Sequence, residues 1–181
     1  MNEEVTVATA AEMHALGRRL ATLLRAGDLV ILSGPLGAGK TTLTQGIGAG
    51  LGVRGPVTSP TFVIARVHPS LARAQGLAAS GPALVHADAY RLGSVLEMDD
   101  LDLDTDTATS VTVVEWGEGL AEGLAADRLE IAIRPAAVPR AVQADGAPPE
   151  DGDAPRTVMI AGVGERGHGI ELPPADLADR L

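Results

Sequence analysis

The sequence contains no cysteine, only three aromatic residues and a single lysine among its 181 residues. The absence of cysteine excludes a disulfide framework and a thiolate metal site. The aromatic residues are Phe62, Tyr90 and Trp116, so the core must consist mainly of aliphatic side chains, which are plentiful in a chain that is 45% hydrophobic. This length fits one domain better than two, and we expect residues 1–181 to form a single domain.

The sequence also lacks long apolar runs and a basic N-terminal segment. No apolar run approaches the roughly 20 residues that span a bilayer, and the segment from Met1 to Glu4 is acidic, unlike a signal peptide. The formal net charge is −10, and such a chain is poor in the clustered cations that neutralise nucleic-acid phosphates. We therefore expect a soluble cytoplasmic protein that has no membrane contact and reaches RNA only through a basic partner.

A glycine-rich stretch from Ser33 to Thr42 follows the apolar run 29–32 and precedes a helical pattern at 43–51. This order of strand, loop and helix, with the spacing G-x4-G-K-T, is typical of a P-loop. Its backbone N–H groups and the helix N-terminus attract phosphates. Lys40, the only lysine, is expected to reach the β- and γ-phosphates, and the Thr41 hydroxyl is expected to bind Mg²⁺. A glycine turn that merely caps a helix explains the pattern less well.

The remaining pattern predicts how the chain alternates between helices and strands. A strand is expected at 4–8, followed by a helix with Thr9 as N-cap and Glu12 completing a capping box. Further strands are expected at 62–67, 83–87, 110–114, 128–133 and 156–161, and short helices at 94–101 and 119–125. We expect an extended loop at 68–82, a flexible loop at 135–155, a poorly ordered glycine-rich stretch after the last strand and a disordered tail at 170–181. The fold class is therefore α/β, a P-loop NTPase-like open sheet, mostly parallel with some antiparallel strands and with helices on both faces.

Two acidic residues, Asp88 and Glu115, each end an apolar strand in this prediction. P-loop proteins place a carboxylate near Mg²⁺ at such a strand end. We assign the metal to Glu115, directly or through a water, because its strand is the better candidate for the neighbour of the P-loop strand. Asp88 is then expected to orient or deprotonate the attacking water, or to lie in the second coordination sphere of the metal. Each carboxylate could instead cap a helix or pair with Arg91.

Three further features leave two interpretations open. The hydroxyl-rich segment 55–62 could sense a γ-phosphate, or it could be a connector whose hydroxyls cap the backbone. Trp116 could pack in the core, or it could close over a nucleotide or meet a partner. The four histidines show no metal-ligand spacing, and His86 is interpreted as a polar residue near a strand end rather than as a base.

These motifs occur together, in this order and spacing, in one protein family. They are Gly34–Thr42, Val57–Phe62, His86–Arg91 and Val113–Trp116. With them the chain resembles TsaE, a family of small ATPases in bacterial tRNA threonylcarbamoyladenosine biosynthesis. The likeness runs from about residue 5 to residue 134, with a weaker match at 156–161. The chain departs from the family pattern at Pro35, where an acidic residue is usual, and in the longer loops 68–82 and 135–155.

The resemblance implies a Mg²⁺-dependent ATPase required for this tRNA modification. It would join the two proteins of the threonylcarbamoyl-transferase complex, of the TsaD and TsaB type, contact tRNA only indirectly, and turn over slowly without these partners. Hydrolysis would support cycling of the complex rather than the transfer itself. By the same resemblance, ATP is held by Gly37, Ala38, Gly39, Lys40, Thr41 and Thr42, with adenine near Thr9 and Ala10, and Mg²⁺ by Thr41 and Glu115. The catalytic candidates are Lys40, Asp88 and Thr61, the last within the switch segment 58–62.

Three other classes of nucleotide-binding protein share the P-loop: a small-molecule kinase, a GTP switch and a subunit without turnover. A small-molecule kinase shares loop and fold but needs arginines in a lid, and only Arg66 and Arg73 lie in the middle loop region. A GTP switch is disfavoured, because guanine recognition uses a lysine after an asparagine and the only lysine belongs to the P-loop. A nucleotide-binding subunit without turnover stays open.

Overall fold

In the computed structural model, residues 2–60, 63–75, 81–99, 108–136, 155–168 and 172–174 are described. The strands are β1 (Asn2–Val7), β2 (Leu29–Ser33), β3 (Ala65–His68), β4 (Ala83–Asp88), β5 (Ser110–Glu115), β6 (Arg128–Pro135) and β7 (Arg156–Val163). The helices are α1 (Ala10–Ala21), α2 (Lys40–Leu51), α3 (Leu71–Ala74), α4 (Val95–Asp99) and α5 (Gly164–His168), with a 3₁₀ turn at Glu122–Leu124. None of the helices in these ranges combines the length and apolar character needed to cross a bilayer.

The strands form one seven-stranded sheet in the order β1-β7-β6-β2-β5-β4-β3. The four inner strands β6, β2, β5 and β4 are parallel to one another, whereas the outer pairs β1–β7, β6–β7 and β3–β4 are antiparallel. This mixed, mostly parallel sheet confirms the predicted fold class. Open sheets of this kind bind ligands beyond the carboxyl ends of their parallel strands.

Alternation along β2 divides the core between the two faces of the sheet. Val30 and Leu32 belong to the larger cluster, which includes α1 and α2, and Leu29 and Ile31 belong to a smaller cluster on the opposite face. A 3₁₀ turn, rather than the predicted helix at 119–125, packs on that smaller cluster through Leu124. Gly119, with a φ of +80°, and Ala125, which is extended with a φ of −154°, both lie outside the helical region and bound the shortened element.

The two helices on the larger face approach each other through glycines. A Cβ atom added to Gly46 would lie 2.1 Å from the carbonyl oxygen of His14, and one added to Gly17 would lie 2.3 Å from that of Leu43. At these distances there is no room for a side chain between the helix backbones. The contact therefore fixes α2 against α1, and with it the N-terminus of α2 at the end of the P-loop.

Replacing Gly46 by alanine is expected to lower the free energy of unfolding by about 1–3 kcal/mol, because the added methyl group forces the two backbones apart. Alanine is the better helix former by about 1 kcal/mol, so a loss would be due to the clash rather than to propensity. Urea denaturation would measure it. Gly123→Ala is the matched control, since a Cβ atom there meets nothing within 4 Å. Equal stability of both variants would contradict a rigid contact.

Two connections differ from the sequence prediction. β3 begins three residues later than expected, because the N–H groups of Val63 and Ile64 both donate to the carbonyl of Pro60, at 2.8 and 2.7 Å, and Ile64 has a φ of +68°. The expected loop 68–82 contains α3, and Ser70 forms a bridge to Val53. The expected helix at 94–101 is present as α4, and before it Ser94 Oγ accepts from the N–H of Glu97 at 3.3 Å. Residues 76–80 and 100–107 lie outside the described ranges.

Two described segments near the C-terminus contact the rest of the protein, where the sequence predicted poor order. The glycine-rich stretch after β7 forms α5, where Arg166 Nε donates to Asp28 Oδ1 at 2.7 Å and Arg166 Nη2 donates to the carbonyl of Leu23 at 3.1 Å. In the expected tail, Leu172 packs on the larger core cluster, and Arg19 Nε donates to the carbonyl of Pro173 at 2.8 Å. The central part of the expected flexible loop, residues 137–154, and the tail residues 175–181 are outside the described ranges.

Candidate P-loop site

The loop between β2 and α2 adopts a backbone that requires glycine. Gly34, Gly37 and Gly39 have φ values of +143°, +76° and +105°. A Cβ atom on Gly34 would also lie 2.4 Å from the carbonyl oxygen of Ile133, so the adjacent strand leaves no space for a side chain. Left-handed residues in such a loop let successive N–H groups form an anion-binding concavity. Gly39 is the N-cap of α2 and has no side chain with which to cover the N–H groups of the first turn.

Lys40 is held at the base of this loop. Its Nζ atom donates to the carbonyl oxygens of Gly34 at 2.8 Å and Pro35 at 3.0 Å, and it lies 3.7 Å from the centre of the Trp116 ring. Burial lowers the pKa of Lys40 below its ordinary value, while the carboxylates of Glu115 and Asp88 act in the opposite direction. Carbonyl oxygens and an aromatic face are weaker partners for an ammonium group than a phosphate oxygen, so the side chain is suited to move to an anion.

A cleft of about 230 Å³ opens over the loop; we call it the P-loop cleft. It is lined by residues 36–42 together with Ser59, Asp88, Glu115 and Trp116. All six residues predicted to hold the phosphates are therefore in the cleft, together with both candidate carboxylates. Leu36 lies at the cleft with 90% of its surface exposed. From β7, Arg156 Nη2 donates to the carbonyl of Gly37 at 3.4 Å, a cation near the loop that the sequence prediction missed.

The two predicted metal-binding side chains are in direct contact. Thr41 Oγ1 donates to Glu115 Oε1 at 2.9 Å and lies 3.2 Å from Oε2. The contact follows from the topology, because β5 lies beside β2 and Glu115 is in register with Leu32. Both groups are oxygen donors, the class that Mg²⁺ prefers. Within the described ranges no group of three or more His, Asp or Glu side chains could hold a metal, so a cation here would also need water or phosphate ligands.

Asp88 ends β4 opposite Glu115 in the parallel pair β4–β5 and is buried beside the cleft. Its Oδ1 atom accepts from the backbone N–H of Tyr90 at 2.9 Å. This contact fixes the turn after β4 rather than capping a helix, since no helix begins at Tyr90, and the carboxylate also lines the cleft where a reacting water would bind. Its role as a base or second-sphere ligand stays a prediction.

The sequence prediction interpreted His86 only as a polar residue near a strand end and missed its contact with Glu115. It is fully buried, and its Nε2 atom lies 2.8 Å from Glu115 Oε1. The signal was present in the sequence, because His86 precedes Asp88 by two residues and therefore lies on the same face of the strand. Without the pairing of β4 with β5, however, nothing indicated that this face points toward Glu115.

Trp116 lies at the cleft and also packs on the smaller core cluster. Its backbone has a φ of +60°, which is rare for a residue with a large side chain. The backbone N–H of Trp116 donates to the carbonyl of Leu32 at 2.8 Å. The centres of the Trp116 and Tyr90 rings are 5.1 Å apart with the planes tilted by 55°. Packing on the core is therefore observed for Trp116, and closure over a nucleotide or contact with a partner stays a prediction.

The hydroxyl segment after α2 divides between two environments. Ser59 lines the cleft, whereas Thr58 Oγ1 accepts from Arg66 Nη1 at 3.1 Å, as in a connector. Arg66, one of the arginines considered for a kinase lid, is thus engaged by the protein itself. Thr61, proposed as catalytic, and Phe62 lie outside the described residues.

The predicted adenine contacts, Thr9 and Ala10, lie where α1 begins. The capping box is confirmed, since Glu12 N donates to Thr9 Oγ1 at 3.1 Å and Ala8 N donates to Glu12 Oε2 at 2.7 Å. Neither Thr9 nor Ala10 is among the residues that line the P-loop cleft. One turn further along α1, the side chain of Met13 lies against Gly39, so the helix does reach the loop. Adenine binding at Thr9 and Ala10 stays a prediction.

Comparison with known proteins agrees with this geometry. The family model described as threonylcarbamoyl adenosine biosynthesis protein TsaE matches residues 7–142. A protein named tRNA threonylcarbamoyladenosine biosynthesis protein TsaE from Streptomyces coelicolor is 59% identical over 155 residues, covering 85% of this chain and 93% of the relative. The protein of that name from Bacillus subtilis is 34% identical over 156 residues, covering 86% and 82%.

A solved structure gives the same result at the level of the fold. The crystal structure of YdiB from Bacillus subtilis superposes with a TM-score of 0.65 at 27% sequence identity, covering 99% of this chain and 95% of that one. The family model and the relatives both span most of the sequence, including the P-loop and the strands that carry Asp88 and Glu115. The chain therefore belongs to the TsaE family.

Proposed function

We propose that the protein is a Mg²⁺-dependent ATPase required for the threonylcarbamoyladenosine modification of tRNA. The observation that carries the ATPase part is the P-loop cleft, in which Lys40 and the Thr41–Glu115 pair converge. The tRNA part rests on the names of the relatives, which assign them to the biosynthesis of this modified nucleoside.

The residues of the cleft divide the work of phosphate hydrolysis. Lys40 and the N–H groups at the start of α2 bind the phosphates, and Lys40 exchanges its backbone carbonyl contacts for phosphate oxygens. Thr41 and Glu115 would hold the metal ion, which would neutralise charge on the phosphates. Asp88 orients the attacking water or accepts its proton, with one oxygen already fixed by the N–H of Tyr90.

The proposed partners are the TsaD- and TsaB-type proteins of the threonylcarbamoyl-transferase complex. The net charge of −10 argues against direct tRNA binding, since phosphate neutralisation needs clustered cations. Near the cleft, Leu36 and Tyr90 are 90% and 63% exposed and are therefore accessible to a partner protein. Turnover would then depend on the complex, and the isolated protein would be slow.

A small-molecule kinase is less well supported. Arg66, one of two candidate lid arginines, donates to Thr58 Oγ1 and is not among the residues that line the P-loop cleft. The two functions also differ in product: an ATPase releases inorganic phosphate, whereas a kinase transfers the phosphoryl group to a metabolite.

The decisive experiment is affinity capture from native extract, followed by assays of phosphate release with the captured proteins and tRNA. We expect capture of the threonylcarbamoyl-transferase proteins, Mg²⁺-dependent phosphate release that rises in their presence, and appearance of threonylcarbamoyladenosine in the tRNA. Phosphorylation of a metabolite would favour the kinase instead. Absence of both ATP binding and turnover would contradict the ATPase assignment.

Binding of ATP is also expected to change the fluorescence of Trp116, the only tryptophan. The Lys40 ammonium lies 3.7 Å from the centre of its ring, and transfer of that charge to a phosphate alters the surroundings of the indole. A fluorescence titration with ATP would measure the change. The same titration of Tyr90→Phe, which keeps the neighbouring ring, should still show it. An unchanged spectrum at saturating ATP, established by calorimetry, would contradict movement of Lys40.

A further inference from the structure

We propose that His86 is a positioning residue, which holds the Glu115 carboxylate toward Thr41 and thereby sets the affinity of the P-loop cleft for a divalent cation. The inference rests on the proposed function, because it assigns a role within the same site. It concerns a residue that does not itself line the cleft but contacts the lining residue Glu115.

Two hydrogen bonds converge on one oxygen of Glu115. Thr41 Oγ1 and His86 Nε2 lie 2.9 and 2.8 Å from Oε1. When the Glu115 carboxylate is ionised it can only accept, and His86 Nε2 is then the donor. Because the two donors come from different elements, α2 and β4, they fix both the position and the rotation of the carboxylate. Outer-sphere hydrogen bonds of this kind orient metal ligands in proteins.

The sheet register explains why His86 is the residue of β4 that contacts the Glu115 carboxylate. His86 is in register with Val113, and Asp88 is in register with Glu115. The ring therefore reaches diagonally along β5 to the carboxylate, while Asp88 occupies the position directly opposite and turns to the backbone of Tyr90. Leu84, on the same face of β4, already belongs to the apolar core. His86 thus stands at the boundary between the core and the cleft.

Packing alone does not explain a histidine at this position. Within the described part of the chain, His86 Nδ1 is buried without a hydrogen-bond partner, which is unfavourable for a polar atom. The bond to Glu115 is the one polar contact of the ring that the described residues provide. An apolar side chain of similar size would fill the space without burying an unpaired nitrogen. The hydrogen bond to Glu115 is therefore the property that distinguishes histidine from leucine here.

Three variants separate the hydrogen bond from the volume of the side chain. His86→Leu removes the donor and keeps an apolar side chain in place. His86→Gln keeps an amide donor that can reach the position of Nε2. His68→Leu is the matched control. His68 is another buried histidine, on the neighbouring strand β3, and its Nε2 atom has no hydrogen-bond partner among the described residues. It is in register with Leu84 and does not line the cleft. If His86→Leu does not fold, His86→Asn, whose shorter amide cannot reach Glu115, takes its place.

The measurement is binding rather than turnover. Nucleotide affinity is measured by titrating each full-length variant with a non-hydrolysable ATP analogue in EDTA. Metal affinity is measured separately, by titrating the analogue complex with Mn²⁺ in metal-free buffer without EDTA and detecting bound Mn²⁺ by electron paramagnetic resonance. For His86→Leu we expect a loss in Mn²⁺ affinity of about 10- to 100-fold, the range for outer-sphere partners of metal ligands. Nucleotide affinity in EDTA should stay unchanged, His86→Gln should recover most of the metal affinity, and His68→Leu should match the wild type.

The possible failures are distinguishable. If the wild type binds the analogue and Mn²⁺ and His86→Leu binds Mn²⁺ equally well, the positioning role is wrong and the proposed function stands. A loss that is equal in EDTA and with metal, or that His68→Leu shares, would indicate a merely structural effect and would also overturn the role. If the wild type binds no nucleotide, the proposed function fails and this inference fails with it.

Discussion

Replacing Lys40 by alanine is expected to weaken the binding of ATP by about 2–4 kcal/mol, the range for a charge-assisted contact that is lost from a partly buried site. The ammonium is the only lysine charge in the chain, and its side chain is 5% exposed. In the absence of an anion it is stabilised by two carbonyl oxygens and an aromatic ring. A triphosphate gives it oxygen atoms with full negative charge, in a site where little water screens the interaction.

Isothermal calorimetry of the variant with ATP in the presence of Mg²⁺ would measure this loss. Arg25→Ala is the control for the change in net charge, because Arg25 is exposed and precedes β2, at the end of the strand remote from the P-loop. Its ATP affinity should equal that of the wild type. Unchanged affinity of Lys40→Ala would mean that the cleft does not bind a polyphosphate through this side chain, and the ATPase proposal would lose its main support.

The parts of the fold that could be predicted are those with a local cause. The loop at Gly34–Lys40 was predictable because a fixed spacing of glycines and lysine between a strand and a helix has few other uses. The closeness of Glu115 to Thr41 was predictable too, since parallel strands end at one edge and the strand before Glu115 is almost wholly apolar. Both inferences need only the sequence and the rules of α/β topology.

The parts that could not be predicted depend on contacts between distant segments. α5 is ordered by Arg166 and Asp28, residues that lie far apart in the sequence and carry no signal of pairing. The late start of β3 follows from the positive φ of Ile64, a conformation that sequence patterns do not predict for a β-branched residue. The link from His86 to Glu115 needed the register of β4 against β5, which periodicity leaves undetermined.

Glu115→Gln is expected to reduce Mg²⁺-dependent hydrolysis by about 100-fold or more, because a neutral amide replaces the charged ligand that holds the metal against the phosphates. The fold should be retained. Glutamine has the same shape, its carbonyl oxygen can accept from Thr41 and His86, and the loss of a buried negative charge removes a desolvation penalty. Phosphate release as a function of Mg²⁺ concentration would measure the effect, and ATP affinity in EDTA, expected to be unchanged, would show that the cleft is intact.

Asp88→Asn distinguishes the two carboxylates of the cleft. If Glu115 holds the metal and Asp88 acts on the water, the asparagine variant should keep the gain in ATP affinity that Mg²⁺ provides and lose turnover, whereas Glu115→Gln should lose both. The carboxylates lie opposite each other at the ends of β5 and β4, so charge alone cannot separate them. Their contacts can separate the two carboxylates, because Glu115 contacts the P-loop helix through Thr41 and Asp88 is fixed by the backbone of Tyr90. Retained hydrolysis in Glu115→Gln, with loss of the Mg²⁺ effect in Asp88→Asn, would transfer the metal to Asp88 and reverse the assignment.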